Sequence, residues 1–428
     1  MRRKSNSRFI PTIFYGWWVV IATSLAMAFI AASMWQAAGA FFVALQREFG
    51  WNRTLLSGAF AMTRAEGAVM GPVEGILSDK LGGRRTMLIG FVICVSGFLL
   101  LSTVQNPVSF YVAYVIMSTG AGLAGYIPIV TIINFWFNRL RTIAISGPLL
   151  GSSLGGTLVP LLAWGIDTHG WRWVAAGCGL FLAFIAGPIV MVVRDRPEPY
   201  GLNPDGDSLD AGEIPETLTK VNTSTSNREA LTSGFTAREA IMTRAFWLIS
   251  VAHAGTAVLY TTIAIHLVPH LTDQGMSLPK AGVVVLVLAA TTGAFQLIGG
   301  WLGDRLDKRY VVAIFMMVQA VGMLFLLRVD SFLSGIVFGF ISGIGQGGRA
   351  PAMTSIRGEY FGRRSFGAIM GLSMIPMNIG MIVVPLLTGI IYDRLGSYDL
   401  PFIFLAVLAL AGGGLMLIVR RPMLRRVV

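Results

Sequence analysis

The chain has 428 residues, of which 54% are hydrophobic and only 13% charged, with a mean hydropathy of +0.70. That is far more apolar surface than a soluble core of this length can hide, and it suits about twelve membrane spans of roughly 20 residues each. The formal net charge of +12 does not mark a nucleic-acid binder, because the cations fall in short segments between apolar runs, and the lone Cys94 and Cys178 form neither a disulfide framework nor a zinc pattern.

The basic start Met1-Arg2-Arg3-Lys4, with Arg8, precedes an apolar stretch too long for a signal-peptide core and without a small-residue cleavage site, so it is expected to stay as the first span. Spans are expected at 14–42, 53–78, 86–104, 108–136, 142–166, 172–193, 245–270, 280–302, 310–327, 332–356, 366–391 and 400–419. An even number of spans puts both termini on one side. Of the 33 Lys and Arg residues, 25 fall in the termini and loops of that side and six on the other (Arg47, Arg53, Arg172, Lys280, Arg328 and Arg394), with Arg64 and Arg349 inside spans. The asymmetry predicts cytoplasmic termini in a cytoplasmic (inner) membrane.

After the sixth span comes one long polar stretch carrying Pro197, Pro199, Pro204, Pro215 and a Ser/Thr/Asn cluster from Asn222 to Asn227. It reads as a cytoplasmic linker, part of it disordered or weakly helical. The expected division is an N-terminal half 1–195, a linker 196–243 and a C-terminal half 244–428.

The halves repeat one another. Gly75-Ile76-Leu77-Ser78-Asp79-Lys80-Leu81-Gly82-Gly83-Arg84-Arg85 returns 225 residues later as Gly300-Trp301-Leu302-Gly303-Asp304-Arg305-Leu306-Asp307-Lys308-Arg309. Gly120, Gly122, Gly125 and Pro128 recur as Gly343, Gly345, Gly348 and Pro351 at an offset of 223, and Phe137, Arg139 and Gly147 as Phe361, Arg363 and Gly371 at 224. Three registers so close together indicate a tandem of structural repeats.

The twin loop resembles the signature of the major facilitator superfamily, Gly-x-Leu-x-Asp-Arg/Lys-x-Gly-x-Arg/Lys-Arg after the second and eighth spans, with Asp307 where the second copy would carry its later glycine. Tyr15-Gly16-Trp17-Trp18, Glu48-Phe49-Gly50-Trp51, Phe135-Trp136-Phe137, Pro197-Glu198-Pro199-Tyr200-Gly201 and Tyr360-Phe361-Gly362-Arg363-Arg364 are similar to bacterial members of the monocarboxylate and oxalate/formate transporter group. The resemblance implies an all-α membrane protein of twelve transmembrane helices in two pseudo-symmetric six-helix bundles. It also implies alternating access about a site lined by spans 1, 4, 7 and 10, with spans 2/11 and 5/8 as sliding seams. Gly75, Asp79, Arg84, Arg85, Gly300, Asp304, Arg305 and Arg309 would form the conformational gate motif. Small residues suit such seams: Gly67, Gly71 and Gly75 on span 2, Gly147, Gly151 and Gly155 on span 5, and Gly367 with Gly371 on span 11. Two cations of the group are absent, since its span-8 arginine position holds Gln296, with Thr292 at the nearby aspartate position, and its first-span lysine corresponds to Gln36. Lactate-type, proton-coupled transport is therefore not carried over residue by residue.

An ionised side chain near the bilayer centre costs about 2.5–3.5 kcal/mol on insertion scales, so Arg64 and Arg349 need partners, a wet cavity or a ligand. Either could meet an anionic substrate; otherwise Arg64 would pair with Glu66 or with another helix, and Arg349 would cap the glycine-rich stretch or reach carbonyls freed by Pro351. Glu66 and His253 are candidates for proton coupling, whereas Glu74 is expected to pair with the basic loop. Tyr126 holds the place in span 4 that Arg349 holds in span 10, which predicts a phenol facing a guanidinium across one site. The candidate substrate lining is Arg349, Tyr126, His253, Tyr260, Gln296, Gln36, Arg64 and Asn378.

Other patterns carry no chemistry. Gly120-x-Gly122-x-x-Gly125 and its repeat do not follow a strand, Gly151-Ser152-Ser153-Leu154-Gly155 lies in an apolar helix, and Gly147-Pro148 begins too near the cytoplasmic end for the antiporter motif. The expected function is secondary active transport of a small organic solute, a carboxylate or other organic anion, with the bilayer and protons as partners and no enzyme activity, cofactor, metal or nucleic acid. A drug/proton antiporter or exporter of apolar solutes, and a sensor that binds without translocating, are the alternatives.

Overall fold

A computed structural model describes residues 13–51, 53–206 and 234–423. Among them twelve long helices follow one another: α1 Tyr15–Phe49, α2 Arg53–Leu81, α3 Gly83–Ser102, α4 Pro107–Trp136, α5 Arg141–His169, α6 Trp171–Val192, α7 Arg244–Asp273, α8 Leu278–Arg305, α9 Lys308–Leu326, α10 Phe332–Phe361, α11 Phe366–Leu395 and α12 Asp399–Ile418. By length and composition, ten are apolar enough to cross a membrane. The other two are α2, which carries Arg64, Glu66 and Glu74, and α10, which carries Arg349 and Arg357.

Local chemistry explains where the helices start and bend. Asn106 and Ser331, 225 residues apart, cap α4 and α10 in the same way, each accepting from the backbone three residues on while a serine there reaches back. Pro128 has no N–H to give, and α4 breaks at Gly125 (φ −101°, ψ −131°), so Tyr126 opens a new half-helix. The matching stretch of α10 stays helical through Pro351 and stops at Gly362, whose φ of 76° favours glycine. A π turn at Ala31–Gln36 interrupts α1, and a 3-10 turn at Gly155–Leu158 interrupts α5.

Packing repeats as the sequence does. Within the first half α2 lies on α4, α1 on α5 and α3 on α4 and α6; within the second, α8 lies on α10, α7 on α11 and α9 on α10 and α12. The halves meet through α2 with α11 and α5 with α8. The α2–α11 seam is glycine on glycine, for a Cβ at Gly71 would stand 3.5 Å from the Gly371 carbonyl oxygen, and one at Gly371 would press into the Gly71 carbonyl. Gly371→Val is therefore expected to lower apparent stability by about 1–3 kcal/mol, read as a depressed thermal midpoint, because backbone on the facing helix cannot swing aside. The glycines of α5 do not form its seam: Gly151 and Gly155 back onto Ser24 and Ala28 of α1. On the α5–α8 seam the glycines belong to α8, where Gly300 meets Ile143 and Ser146 and Gly303 meets Thr142.

The two described ends of the linker pack on the helix ends. Residues 194–206 fold back over the helix ends, and the Asp205 carboxylate accepts from the N–H groups of Asn138, Arg139 and Leu140 at 2.9, 2.9 and 3.1 Å, where α5 begins. Phe235 donates to the Phe361 carbonyl at 2.8 Å, and a short helix, Ala237–Ile241, is boxed by Thr236 and Glu239. Pro215 and the Asn222–Asn227 cluster lie outside the described residues.

Asp195 explains why the two loop copies differ. At Gly82, where φ is 85°, the cap for α3 comes from Asp195, which accepts from the Arg84 N–H at 2.6 Å. In the second copy Asp307 occupies the glycine's place and itself accepts from the Arg309 N–H at 2.9 Å. Its φ of −59° needs no glycine, and the Arg309 guanidinium, 2.6 Å away, holds its carboxyl below the ordinary carboxylate value.

Candidate functional site

Both duplicated loops lie on one face of the molecule, called here the basic face, and there the halves are latched. Asp79 at the end of α2 accepts from the N–H groups of Gly367 and Ala368 at 2.9 and 2.8 Å, at the start of α11. Asp304 at the end of α8 does the same to Thr142 and Ile143 at the start of α5, at 2.7 and 2.8 Å. A carboxylate at a helix N-terminus satisfies orphan donors and the positive end of the helix dipole together. Arg363 adds a bond to the Phe135 carbonyl at 2.8 Å and an ion pair with Glu198 of the linker at 3.4 Å. Deeper in, Tyr126 meets Thr354 hydroxyl to hydroxyl at 2.6 Å, and Thr142 meets Ser355 at 2.9 Å.

On the far side of this latch the molecule is hollow. A cavity of about 230 Å³ is lined by Gln36 and Ser153 from the first half and by Tyr260, Thr292 and Gln346 from the second, over an apolar wall that includes Leu288. A wider cleft of about 580 Å³ runs between α1, α2, α7 and α11, with Arg64, His266 and Asp393 among apolar neighbours. The bonds of Asp79, Asp304, Arg363, Tyr126 and Thr142 that join the two halves gather at the basic face, and on the other side Ser153 contacts Gln296 at 3.4 Å. The molecule is closed on the basic face and open on the other.

Beneath the smaller cavity, Arg349 is only 5% exposed. Its Nη2 donates to the Thr256 carbonyl of α7 at 3.2 Å, and its Nε meets no acceptor. Two helical turns further on, Arg357 is 1% exposed, donates from Nη1 to the Met353 carbonyl at 2.8 Å and from Nη2 to His253 Nδ1 at 3.0 Å, and again leaves Nε without an acceptor. An arginine only donates, so His253 Nδ1 is an acceptor and the ring hydrogen sits on Nε2. Neither guanidinium has a carboxylate within 4.0 Å among the described residues.

The structure thus gathers part of the expected lining and scatters the rest. Arg349 and His253 share one buried cluster, while Gln36 and Tyr260 share the cavity above it, with Gln296 next to Ser153 on its edge. Arg64 belongs to the wider cleft, and Asn378 sits at the α2–α11 seam, 3.5 Å from where a Gly67 Cβ would be. Tyr126 faces Thr354 and not the Arg349 guanidinium, because the break at Gly125 re-aims its half-helix. Glu66 stays within the first half, accepting from Ser118 and Thr119 at 2.9 Å each. Glu74 makes no ion pair with the basic loop among the described residues; its carboxyl lies in the space Gly122 leaves free.

Sequence reasoning missed Arg357, which it assigned to a loop by ending the span at 356. Gly362 was the available signal, since a glycine stop there extends the helix past Arg357. Gln346 and Ser153, polar residues in apolar runs, were missed as lining for want of a charge to mark them.

The profile of the Major Facilitator Superfamily matches residues 24–288 and 245–427. The chain is 24% identical to monocarboxylate transporter 11 of Mus musculus over 411 residues, covering 93% of this chain and 86% of that protein. It is 23% identical to monocarboxylate transporter 2 of Rattus norvegicus over 416 residues, covering 94% and 83%. In fold it is similar to the transporter FucP crystallised in the outward conformation (TM-score 0.71, 13% identity, 94% of this chain and 99% of that one). The human organic anion transporter MFSD10 gives the same TM-score of 0.71 at 14% identity, over 94% and 98%. With twelve helices in repeated halves closed over a central hollow, the chain belongs to the major facilitator superfamily: it is an integral membrane protein that carries small organic solutes by secondary transport, and not an enzyme.

Proposed function

We propose that the solute is a small organic anion bearing a carboxylate, taken from the open side into the cavity of Gln36, Tyr260, Thr292 and Gln346 and bound at its foot by Arg349. The observation that carries this reading is the pair of buried guanidiniums on α10, each with a free Nε and no carboxylate within 4.0 Å among the described residues. At about 2.5–3.5 kcal/mol for a central charge, two uncompensated cations are expensive unless an anion visits them. They stand in for the two cations that the monocarboxylate group carries elsewhere. The relatives' names, monocarboxylate transporter and organic anion transporter, support the same class.

In this reading the basic face is cytoplasmic, the membrane is the cytoplasmic (inner) one, and residues 1–195 and 244–428 rock as two bundles joined by 196–243. Rocking breaks the Tyr126–Thr354 and Thr142–Ser355 contacts and exposes Arg357 to the cytoplasm. Proton coupling, where it operates, falls to Glu66 with its hydroxyl donors. The Arg357 N–H at Nδ1 of His253 supports an orienting role for that histidine.

Uptake of labelled monocarboxylates into proteoliposomes, with and without an inward proton gradient, tests the proposal. Saturable carboxylate uptake is expected, accelerated by the gradient. Efflux of apolar dyes with no carboxylate flux would assign the wide apolar cleft to an exporter, and binding without flux would make the protein a sensor.

A further inference from the structure

A second polar pocket, of about 320 Å³, opens on the basic face away from the solute cavity. Lys80 and Arg84 of the α2–α3 loop line one side, and Arg194 and Arg196, just past α6, line the other. Its two carboxylates are already engaged: Asp79 accepts from Gly367 and Ala368, and Asp195 from the Arg84 N–H. Among the described residues none of the four cationic side chains has an ion-pair partner within 4.0 Å.

Two of the cations are pre-positioned. The Arg194 guanidinium lies between the rings of Tyr15 and Tyr200, 4.2 and 3.9 Å from their centroids, and the Arg196 guanidinium lies 4.3 Å from the Phe135 ring. Stacking covers the faces of a guanidinium and leaves its in-plane N–H donors pointing outward, the geometry that suits a tetrahedral oxyanion. The pocket stands at the foot of α3 and α6, which pack together. Along their outer sides Leu88, Ile89 and Val92 of α3 and Phe184 and Met191 of α6 are exposed apolar side chains, which in a membrane protein face acyl chains.

We infer that this pocket binds a phosphate, that of an anionic lipid headgroup whose acyl chains run along α3 and α6. Free phosphate presents the same chemistry to the four cations, so the acyl track alone separates the two sources. A headgroup here bridges the α2–α3 loop and the segment after α6, beside the Asp79 latch. The site is independent of the solute cavity and of the solute's identity.

The test uses the full-length protein in a neutral detergent, titrated with phosphatidylglycerol, phosphatidylcholine or inorganic phosphate while the thermal midpoint is followed, since a ligand of the folded state raises it. Phosphatidylglycerol is expected to raise the midpoint saturably at micromolar concentration and phosphatidylcholine to leave it in place. Removing each cation should weaken the apparent affinity about fivefold, so Arg194→Gln/Arg196→Gln and Lys80→Gln/Arg84→Gln should each lose about 25-fold. Lys80 is exposed and the Arg84 side chain makes no hydrogen bond among the described residues, so the second pair stays folded even where the stacked pair does not. A phosphate response equal to that of phosphatidylglycerol would keep the phosphate site and name the free ion as its ligand. The inference is overturned when neither phosphatidylglycerol nor phosphate moves the midpoint more than phosphatidylcholine, or when folded variants keep wild-type affinity for both.

Discussion

Arg349→Gln is expected to abolish carboxylate binding while raising the stability of the ligand-free protein. The side chain is 5% exposed, its one hydrogen bond among the described residues is to the Thr256 carbonyl, and its Nε has no acceptor there. Truncating one partner of a buried charged pair costs about 2–5 kcal/mol, so the dissociation constant should rise by about 30-fold to several thousandfold. Folding responds in the opposite sense. A neutral amide two bonds shorter gives up the bond to the carbonyl but escapes the desolvation that burdens an uncompensated guanidinium, and the second effect is the larger. Thermal unfolding with and without a carboxylate reads both effects at once. A structural cap would show the reverse pattern, with the midpoint depressed and affinity unchanged among molecules that remain folded.

The second large effect is expected at the latch. In Asp79→Asn/Asp304→Asn each carboxylate that accepts from two backbone N–H groups becomes an amide offering one oxygen and a competing NH₂ group. Charged hydrogen bonds are worth about 1.5–3 kcal/mol each, so losing even one at each site should cut the population closed on the basic face by about a hundredfold or more. Ser355, fully buried and bonded to Thr142, reports the opening. In a Ser355→Cys background the double variant should react with a maleimide applied from the basic face, whereas the parent should not. The native thiols do not interfere, because Cys94 and Cys178 are 1% and 4% exposed. Continued protection of position 355 in a folded double variant would mean that the two aspartates do not hold the closed state.

The parts legible in sequence were those where one residue type does one job. Apolar runs gave the helices, and the glycine, aspartate and cations of the twin loop marked the latch because close approach, helix-end capping and sidedness each demand that chemistry. What stayed hidden depended on neighbours. Hydropathy ended span 10 before the charged stretch that opens with Arg357 and Glu359, although the helix runs on to a glycine stop and carries Arg357 inside. Four-residue glycine spacing on α5 named a close-packed face but not its partner, and α1 took that face while α8 brought its own glycines to the seam. The repeat offset set Tyr126 opposite Arg349 only if both helices continue alike, and the break at Gly125 makes them differ. Asp205 looked like part of a loose linker, because nothing local reveals that its carboxylate caps a helix 65 residues away.

Alternation between two closed faces is tested most directly by paired distances between spin labels on the two halves. One pair would sit at Asp167 and Lys280 on the open face and the other at Leu81 and Arg364 on the basic face, all exposed positions. Adding a transported carboxylate is expected to populate a state in which the first distance shortens and the second lengthens. Distances that stay fixed, or that shift in the same sense on both faces, would contradict rocking about a central anion site.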